Sequence, residues 1–273
     1  MPSRVLLCPP TYFEVRDRKN PYMRLPVDHA KAQYQWETLC DAFRSVGFKL
    51  EFIAPVRDLE DMVFAANQVF VGCDETLGRF VIPSEMRYPS RQKEVPHYAD
   101  WFYKRGYKIL ALDLRGEFLE GGGDLLWHPK RSRIWAGYGI RSSLAGVTKF
   151  AKAMSQMEVT VTPLQLADEY FYHLDTCLAP LNSEAALYYP GAFSEDAQQN
   201  LVGGWKRLYP VTRDEALRFV CNGVAANGAY IAPVQTPSLE QALQKENIRL
   251  VLVDTSEFEK SGGSVFCMKM FLD

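Results

Sequence analysis

The chain has 273 residues, of which 47% are hydrophobic and 23% are charged, and its formal net charge is −2. This composition is that of a globular protein with a large core, in one sizeable domain or two small ones. A near-neutral chain without a long run of one charge argues against nucleic acid or an anionic membrane as the main partner, because both require a basic surface.

No apolar run reaches the roughly 20 residues needed to cross a bilayer, and the apolar stretch at the N-terminus is too short for a signal peptide. The six cysteines form no CxxC pair and have no metal-ligand spacing. In a chain of this length, such cysteines indicate reduced and mostly buried thiols. We therefore expect a cytoplasmic protein.

Runs rich in β-branched and aromatic residues recur along the chain, each bounded by turn residues. They predict a strand, a helix and a second strand in the first segment. Each of the four segments that follow is predicted to contain two strands, then a helix, then a third strand. The predicted strands are 4–8, 49–53, 62–71, 79–83, 107–112, 123–127, 133–137, 158–162, 174–180, 185–189, 206–209, 217–222, 229–232, 249–253 and 264–271, and the predicted helices lie near 28–46, 92–105, 142–156, 194–203 and 238–245.

This repeated order predicts five ββαβ units, in which the strand at 264–271 completes the first unit and closes a ring. Units of about 40–50 residues are typical of radial arrays. Closure leaves few open sheet edges, and it would direct polar residues at strand ends toward a central pocket. The alternative is an open α/β sheet with one helix in each crossover.

A cysteine and a histidine are the candidates for nucleophilic chemistry. Cys267 ends the sequence Ser-Gly-Gly-Ser-Val-Phe-Cys, which delivers a thiol after a glycine turn, and His173 lies in an aromatic segment two residues before Asp175. Side chains distant in sequence can meet in the fold and pair a nucleophile with a base. Taken alone, Cys267 is more often a small buried hydrophobe and His173 more often a core histidine.

Other polar residues interrupt the predicted strands and their ends. Glu120 and Asp124 flank three glycines, which allow the backbone to approach a ligand closely. Asn67 interrupts an apolar strand, where propensity disfavours it. Arg141, at a strand-to-helix turn, could grip a substrate carboxylate with two hydrogen bonds. The alternative for Glu120 and Asp124 is an acidic turn. The alternative for Asn67 is a side chain that satisfies a backbone group, and the alternative for Arg141 is a surface arginine.

Together these motifs resemble the guanidine-modifying superfamily of arginine deiminases, dimethylarginine dimethylaminohydrolases, arginine dihydrolases and amidinotransferases. The resemblance runs nearly end to end, with the motifs in the expected order: CPPTYFEV, NPYM, DMVFAAN, SRQKE, LEGGGD, WAGYGIRSS, FYHLDTC, LYYP, CN and GGSVFC. It implies a five-bladed α/β propeller, or pentein, of pseudo-symmetric ββαβ units, which agrees with the predicted ring. It also implies a single domain over 1–273.

By this resemblance, Cys267 is the nucleophile and His173 the general acid and base, while Glu120 holds the substrate guanidinium and orients the histidine. Asp175 is implied as a second guanidinium contact. The remaining implied substrate-binding residues are Asn20, Asn67, Arg91, Asp124 and Arg141, of which the two arginines would bind the α-carboxylate. The chemistry requires no metal or organic cofactor, and the partner is a small molecule, L-arginine or an N-methylated arginine. The resemblance leaves open a homo-oligomer.

The segment VFAAN resembles the VFTAN of arginine dihydrolases, which convert arginine to ornithine, two ammonia and carbon dioxide. Deiminases and methylarginine enzymes usually carry an acidic residue in that strand. The sequence departs from the dihydrolases at Gln68, at 93–95 and in LAPL after the histidine motif. The alternatives are a dimethylarginine dimethylaminohydrolase or arginine deiminase giving citrulline, an amidinotransferase, and a catalytically silent arginine-binding module.

Overall fold

A computed structural model describes residues 3–24 and 26–272. Its strands are β1 (Arg4–Leu7), β2 (Lys49–Phe52), β3 (Val69–Asp74), β4 (Gly78–Pro83), β5 (Lys108–Ile109), β6 (Leu125–Trp127), β7 (Arg133–Tyr138), β8 (Thr160–Gln165), β9 (Leu178–Pro180), β10 (Ala185–Tyr188), β11 (Arg207–Pro210), β12 (Val224–Ala226), β13 (Ala229–Ala232), β14 (Arg249–Leu252) and β15 (Lys269–Phe271). Its helices are α1 (His29–Ser45), α2 (Pro89–Gln92), α3 (Val95–Tyr103), α4 (Gly121–Asp124), α5 (Leu144–Ser155), α6 (Glu195–Gly204), α7 (Arg213–Leu217), α8 (Pro237–Glu246) and α9 (Ser256–Glu259).

The strands of the described residues form five separate three-stranded sheets, each with the same internal order. The first strand of a sheet pairs antiparallel with the second, which pairs parallel with the third, as in β3-β4-β5. In the first unit, β15 takes the first place, antiparallel to β1, which is parallel to β2. The predicted ββαβ order and its closure by the C-terminal strand are confirmed, and the open-sheet alternative is wrong.

The first strands of the five sheets, which we call the inner strands, are β3, β6, β9, β12 and β15. One cavity is lined by residues from all five of them. The inner strands therefore surround a common axis, as the blades of a propeller do. Among the described residues, no helix is long and apolar enough to cross a membrane.

The third strand of each unit follows a helix that covers the outside of the sheet. Helix α1 begins after Asp28, whose side chain accepts a hydrogen bond from the Lys31 amide and so caps the first turn. Its buried residues include Trp36, Leu39 and Phe43, which lie on one face at the spacing of a helix. This face contributes to a hydrophobic cluster shared with the first and last units.

Each of the five inner strands begins later in the sequence than predicted, and at 174–180 a 3₁₀ turn over Leu174–Thr176 precedes β9. Residues Glu60–Val63 form a 3₁₀ turn and β3 begins only at Val69, while α7 and a turn replace the strand predicted at 217–222. The C-terminal run 264–271 is extended only over Lys269–Phe271. These segments are apolar because they are buried near the axis. Burial alone does not make a segment extended, and the irregular backbone here presents polar side chains to the centre.

The closure of the ring generates a test of stability. Leu6 in β1 is fully buried and lies opposite Met270 of β15, whereas Leu252 in β14 is 50% exposed. We expect Leu6→Ala to lower the free energy of unfolding by about 2–5 kcal/mol, because it leaves a cavity in the closing sheet. The matched Leu252→Ala should change it by no more than about 0.5 kcal/mol. Urea denaturation followed by circular dichroism measures both, and equal effects would contradict the closed ring.

Candidate active site

The candidate site is built from residues that immediately precede the inner strands. Asn67, Asn222 and Cys267 each lie two residues before an inner strand, and Glu120 and His173 each lie five residues before one. The segment before the inner strand thus contributes a polar side chain to the centre in each of the five units. The repeat brings together side chains that are up to two hundred residues apart in sequence.

A small polar cavity lies where these segments meet. Six of the nine predicted site residues line it, and the other three lie behind its wall. The six are Asn20, Asn67, Arg91, Arg141, His173 and Cys267, and the three are Glu120, Asp124 and Asp175, all fully buried. Their assigned roles in catalysis and binding stay predictions.

Glu120 is a buried carboxylate that accepts hydrogen bonds from three neighbouring residues. Its Oε2 accepts hydrogen bonds from His173 Nε2 at 2.7 Å and from Arg141 Nη1 at 3.0 Å, and its Oε1 accepts one from the Arg87 amide at 2.9 Å. Burial alone would raise the pKa of Glu120, but Arg141 and His173 outweigh it and hold that pKa well below its usual range. Glu120 is therefore ionised and fixes the plane of the His173 ring.

Arg141 is clamped between two aromatic rings. Its guanidinium carbon lies 4.7 Å from the ring centroids of both Tyr88 and Tyr172. One of its nitrogens donates to the Lys19 carbonyl at 3.0 Å. This stacking, together with the ion pair to Glu120, leaves the arginine buried with a small part of its surface in the cavity.

The orientation of the Asn67 amide is set by Arg91. Arg91 Nη1 donates to Asn67 Oδ1 at 3.1 Å, which turns Nδ2 toward His173 Nδ1 at 3.4 Å. An amide nitrogen can only donate, so Nδ1 presents its lone pair while Nε2 carries the proton that Glu120 accepts. For the neutral ring, these contacts favour the tautomer that carries its proton on Nε2 and directs the lone pair of Nδ1 toward Asn67. Arg91 itself is held by a buried ion pair with Glu94 at 3.0 Å.

The Cys267 thiol lies between a donor and an acid. Asn222 Nδ2 donates to its Sγ at 3.2 Å, and the thiol donates to Asp175 Oδ2 at 3.2 Å. Burial raises the pKa of Asp175 to about 7, against the lowering effects of Cys267 and Lys269. Burial and the adjacent Asp175 raise the pKa of Cys267 well above its usual range. Without a ligand, this pair is therefore held with the thiol protonated. The second oxygen of Asp175 is buried without a hydrogen bond.

The three glycines of α4 let the Glu120 segment approach its neighbours. Gly121 has a φ of +45°, and a Cβ there would meet the backbone oxygen of Asn67. A Cβ at Gly123 would overlap Asn67 Nδ2 and press on the His173 ring at 3.2 Å. The glycines therefore serve close approach between protein segments in this structure, and a side chain at either place would displace the site.

Asp124 and Asn20 hold backbone rather than face each other across the cavity. Asp124 accepts hydrogen bonds from Ser142 Oγ at 2.6 Å and from the Leu174 amide at 3.1 Å, which positions the residue after His173. Asn20 Nδ2 donates to the Ser261 carbonyl at 2.8 Å and so ties the N-terminal loop to the cysteine segment. These contacts give Asp124 a positioning function, and its predicted contact with substrate stays a prediction.

The sequence reasoning missed several residues of the site. Lys19 and Asp61 both line the cavity and form a buried ion pair at 3.1 Å. Asn222, which holds the thiol, appeared only as part of a motif without a role. Its place two residues before an inner strand, shared with Asn67 and Cys267, is the signal that could have identified it. Within residues 3–24 and 26–272, no cluster of three or more His, Cys, Asp or Glu is arranged to hold a metal ion.

Comparison with known proteins gives consistent relatives. The protein ZK1307.1 of Caenorhabditis elegans is 35% identical over 99% of this chain and 94% of its own length. The bifunctional arginine dihydrolase/ornithine cyclodeaminase ArgZ of Synechocystis is 33% identical over 98% of this chain, which spans 37% of that protein. The N(G),N(G)-dimethylarginine dimethylaminohydrolase of Mycobacterium tuberculosis is 34% identical over 97% of this chain and 84% of its own length.

Solved structures share the fold. The N-terminal domain of ArgZ bound to its substrate superimposes with a TM-score of 0.91 at 29% identity, covering 98% of this chain and 97% of that domain. A dimethylarginine dimethylaminohydrolase adduct with S-methyl-L-thiocitrulline has a TM-score of 0.81 at 19% identity and covers 99% of both chains, which supports the fold alone.

Five small sheets around one axis, with a buried cysteine, histidine and carboxylates at the amino ends of the inner strands, define a hydrolase of the guanidine-modifying α/β propellers, the penteins. The family model for N,N dimethylarginine dimethylhydrolase, eukaryotic, matches residues 16–272. The chain belongs to that family. The superfamily, the propeller fold and the enzyme class predicted from the sequence are thereby confirmed.

The close approach at Gly123 generates a test of the site. We expect Gly123→Ala to lower turnover by at least about 100-fold, because the added methyl overlaps Asn67 and pushes Asn67 and the His173 ring out of position. Gly203 in α6 has nothing within 4 Å of an added Cβ. The matched Gly203→Ala should keep full turnover and change stability by no more than about 1 kcal/mol. Steady-state kinetics and melting curves distinguish these effects, and an active Gly123→Ala would contradict the packing.

The pairing of Cys267 with Asp175 generates a test of reactivity. Asp175 raises the pKa of the thiol, so Asp175→Asn should move the pH profile of Cys267 alkylation by iodoacetamide to lower pH. Mass spectrometry of the alkylated peptide follows the rate between pH 6 and 10. The control Asp196→Asn, at an exposed residue of α6, should leave the profile unchanged. A profile that moves to higher pH in Asp175→Asn would contradict the arrangement.

Proposed function

We propose that the protein is an arginine dihydrolase, which converts L-arginine and two water molecules to ornithine, two ammonia and carbon dioxide. The observation that carries this proposal is the neutral amide of Asn67 beside His173 Nδ1, in the cavity that Cys267 also lines. The names of ArgZ and of the related AgrE of Nostoc, which is 32% identical over 98% of this chain, support it.

The cavity can accept a guanidinium because carboxyl groups that can offset its charge lie behind the Cys267 thiol. A cationic substrate beside Asp175 and Cys267 would favour the charged form of both groups. The thiol proton then passes to His173 Nδ1. The Cys267 thiolate attacks the central carbon, and the carbon–nitrogen bond to ammonia breaks as His173 returns the proton. An S-alkylthiouronium adduct on Cys267 remains.

Hydrolysis of this adduct restores the thiolate. A water molecule gives its proton to His173 Nδ1 and attacks the same carbon, and the carbon–sulfur bond breaks to leave citrulline. In a dihydrolase, citrulline stays in place for a second attack by Cys267, which expels the second ammonia. Water then attacks the remaining S-carbamoyl adduct and its carbon–sulfur bond breaks, which frees Cys267 and an N-carboxylated ornithine that loses carbon dioxide to give ornithine. Glu120 stabilises the protonated histidine in each half of the cycle.

Asn67 is the residue that would let the second cycle occur. The ureido group of citrulline is neutral, and a neutral amide can both donate to it and accept from it. A carboxylate in this place would favour the cationic substrate over the neutral intermediate. It would also face His173 Nδ1 and favour a proton there, which removes the base needed to activate water. An amide therefore favours two hydrolyses and an acid favours one.

The main alternative is hydrolysis of N-methylated arginine to citrulline. The matching family model and the M. tuberculosis relative favour it. Single-step deimination of arginine is a further alternative. An amidinotransferase would have to exclude water and admit an amine acceptor. A silent arginine-binding module has no need for Cys267, His173 and Glu120 together.

The direct test is incubation of the purified protein with L-arginine and, separately, with asymmetric dimethylarginine. Ornithine with two equivalents of ammonia from arginine supports the dihydrolase. Citrulline alone from arginine contradicts it and indicates a deiminase, and turnover of the methylated substrate alone indicates the main alternative. Cys267→Ser should abolish all products, since a hydroxyl is far less ionised than a thiol near neutral pH.

The choice of reaction is tested by Asn67→Asp. We expect the variant to give citrulline in place of ornithine, with first-step turnover reduced yet measurable, because the carboxylate disfavours the neutral intermediate. Chromatography of the amino-acid products gives the ratio. The control Asn200→Asp, at an exposed residue of α6, should keep the wild-type ratio. An active Asn67→Asp with an unchanged ratio shows that the proposed role of Asn67 is wrong.

A further inference from the structure

A second cavity lies beyond the site, along the inner strands themselves. Its volume is about 210 Å³, and its walls are largely apolar. The rings of Phe70, Trp127, Phe266 and Phe271 contribute to the lining. Ala66 and Phe266 line this second cavity, whereas the next residues in sequence, Asn67 and Cys267, line the polar one, so these two segments lie between the cavities.

One cation lines this apolar cavity without forming an ion pair with the described residues. Lys269 is 2% exposed, and its Nζ lies 3.0 Å from the ring centroid of Phe266 and 4.3 Å from that of Phe271. No residue in the described part of the chain gives this Nζ a hydrogen bond or a carboxylate within 4.0 Å. Burial lowers the pKa of Lys269 to about 7, although Asp175 and Cys267 oppose this. An unpaired ammonium in apolar surroundings is costly, and an anion within reach would offset that cost.

The size and walls of the cavity limit what could supply the anion. An apolar cavity of about 150 Å³ is already large enough to admit benzene. Flat aromatic walls favour an apolar or aromatic body, and a single ammonium at the wall favours one carboxylate over a multiply charged group. The amide of Asn182 at the edge is already bonded to Glu246 at 2.7 Å.

We propose that this cavity is a second ligand site, which binds a small monocarboxylic acid with an apolar body. The carboxylate pairs with Lys269 Nζ, and the apolar body lies against Phe70, Trp127 and Phe271. The ligand carries no guanidinium, so the site is distinct from the one that takes the substrate.

The test uses 3-phenylpropanoate and its uncharged counterpart 3-phenylpropanamide as probes, with isothermal titration calorimetry on the full chain. We expect the acid to bind at least about tenfold more tightly than the amide, as one charge-assisted hydrogen bond provides. Lys269→Met should reduce the affinity for the acid to that for the amide. Lys245→Met, which removes an exposed lysine beside the ring of Tyr209, should preserve the preference.

A second variant keeps the test decisive if Lys269→Met fails to fold. Ala225→Trp fills the cavity from β12, and it should abolish binding of both probes while the protein still melts cooperatively. The proposal is overturned by equal affinity for acid and amide, by no binding at millimolar concentration, or by unchanged binding in either variant. Acid binding that L-arginine displaces and that Ala225→Trp leaves intact would place the acid in the polar cavity, which also overturns it. None of these measurements depends on turnover, so failure of the dihydrolase proposal would leave them unaffected.

Discussion

A fully buried carboxylate requires hydrogen-bond donors, and the arrangement of the site depends on the donors that surround Glu120. Three different units contribute, through Arg141, His173 and the Arg87 amide. Leaving such a charge unpaired would cost several kcal/mol, so the three segments are held in one relative position. The same interaction that stabilises the centre of the ring therefore fixes the tautomer and the plane of the histidine. One set of hydrogen bonds thus stabilises the fold and orients the histidine.

The second fixed element is the Glu94–Arg91–Asn67–His173 chain of contacts, each link of which sets the next. Glu94 holds the arginine, the arginine orients the amide, and the amide nitrogen faces the lone pair of Nδ1. The surroundings of the histidine are thus set in part by Glu94, which is three contacts away. A change at Glu94 would alter the reaction without touching the cavity wall, because Arg91 would lose the partner that orients it.

Much of the fold could be predicted from the sequence, because the same order of strands and helices recurs from one unit to the next. The order of units and the closing strand follow from the repeat, whereas the roles expected of Cys267, His173 and Glu120 were implied by the resemblance to the guanidine-modifying superfamily. The segments before the inner strands were mistaken for strands, since burial from all sides makes them apolar whatever their backbone conformation. Lys19 and Asp61 could not be found in this way, because each is paired with a residue distant in sequence. Lys269 could not be found either, because a single charged residue carries no periodicity.

The pairing of β1 with β15 sets an order of events during synthesis. Four of the five sheets are made of strands that are near neighbours in sequence, and these can form as the chain emerges. The remaining sheet joins Arg4–Leu7 to Lys269–Phe271, and its first strand must wait with one edge unpaired. Cys267 enters the centre only with that last strand. A growing chain thus presents the acids and the imidazole of the site without the Cys267 thiol, which reaches them only when the ring closes.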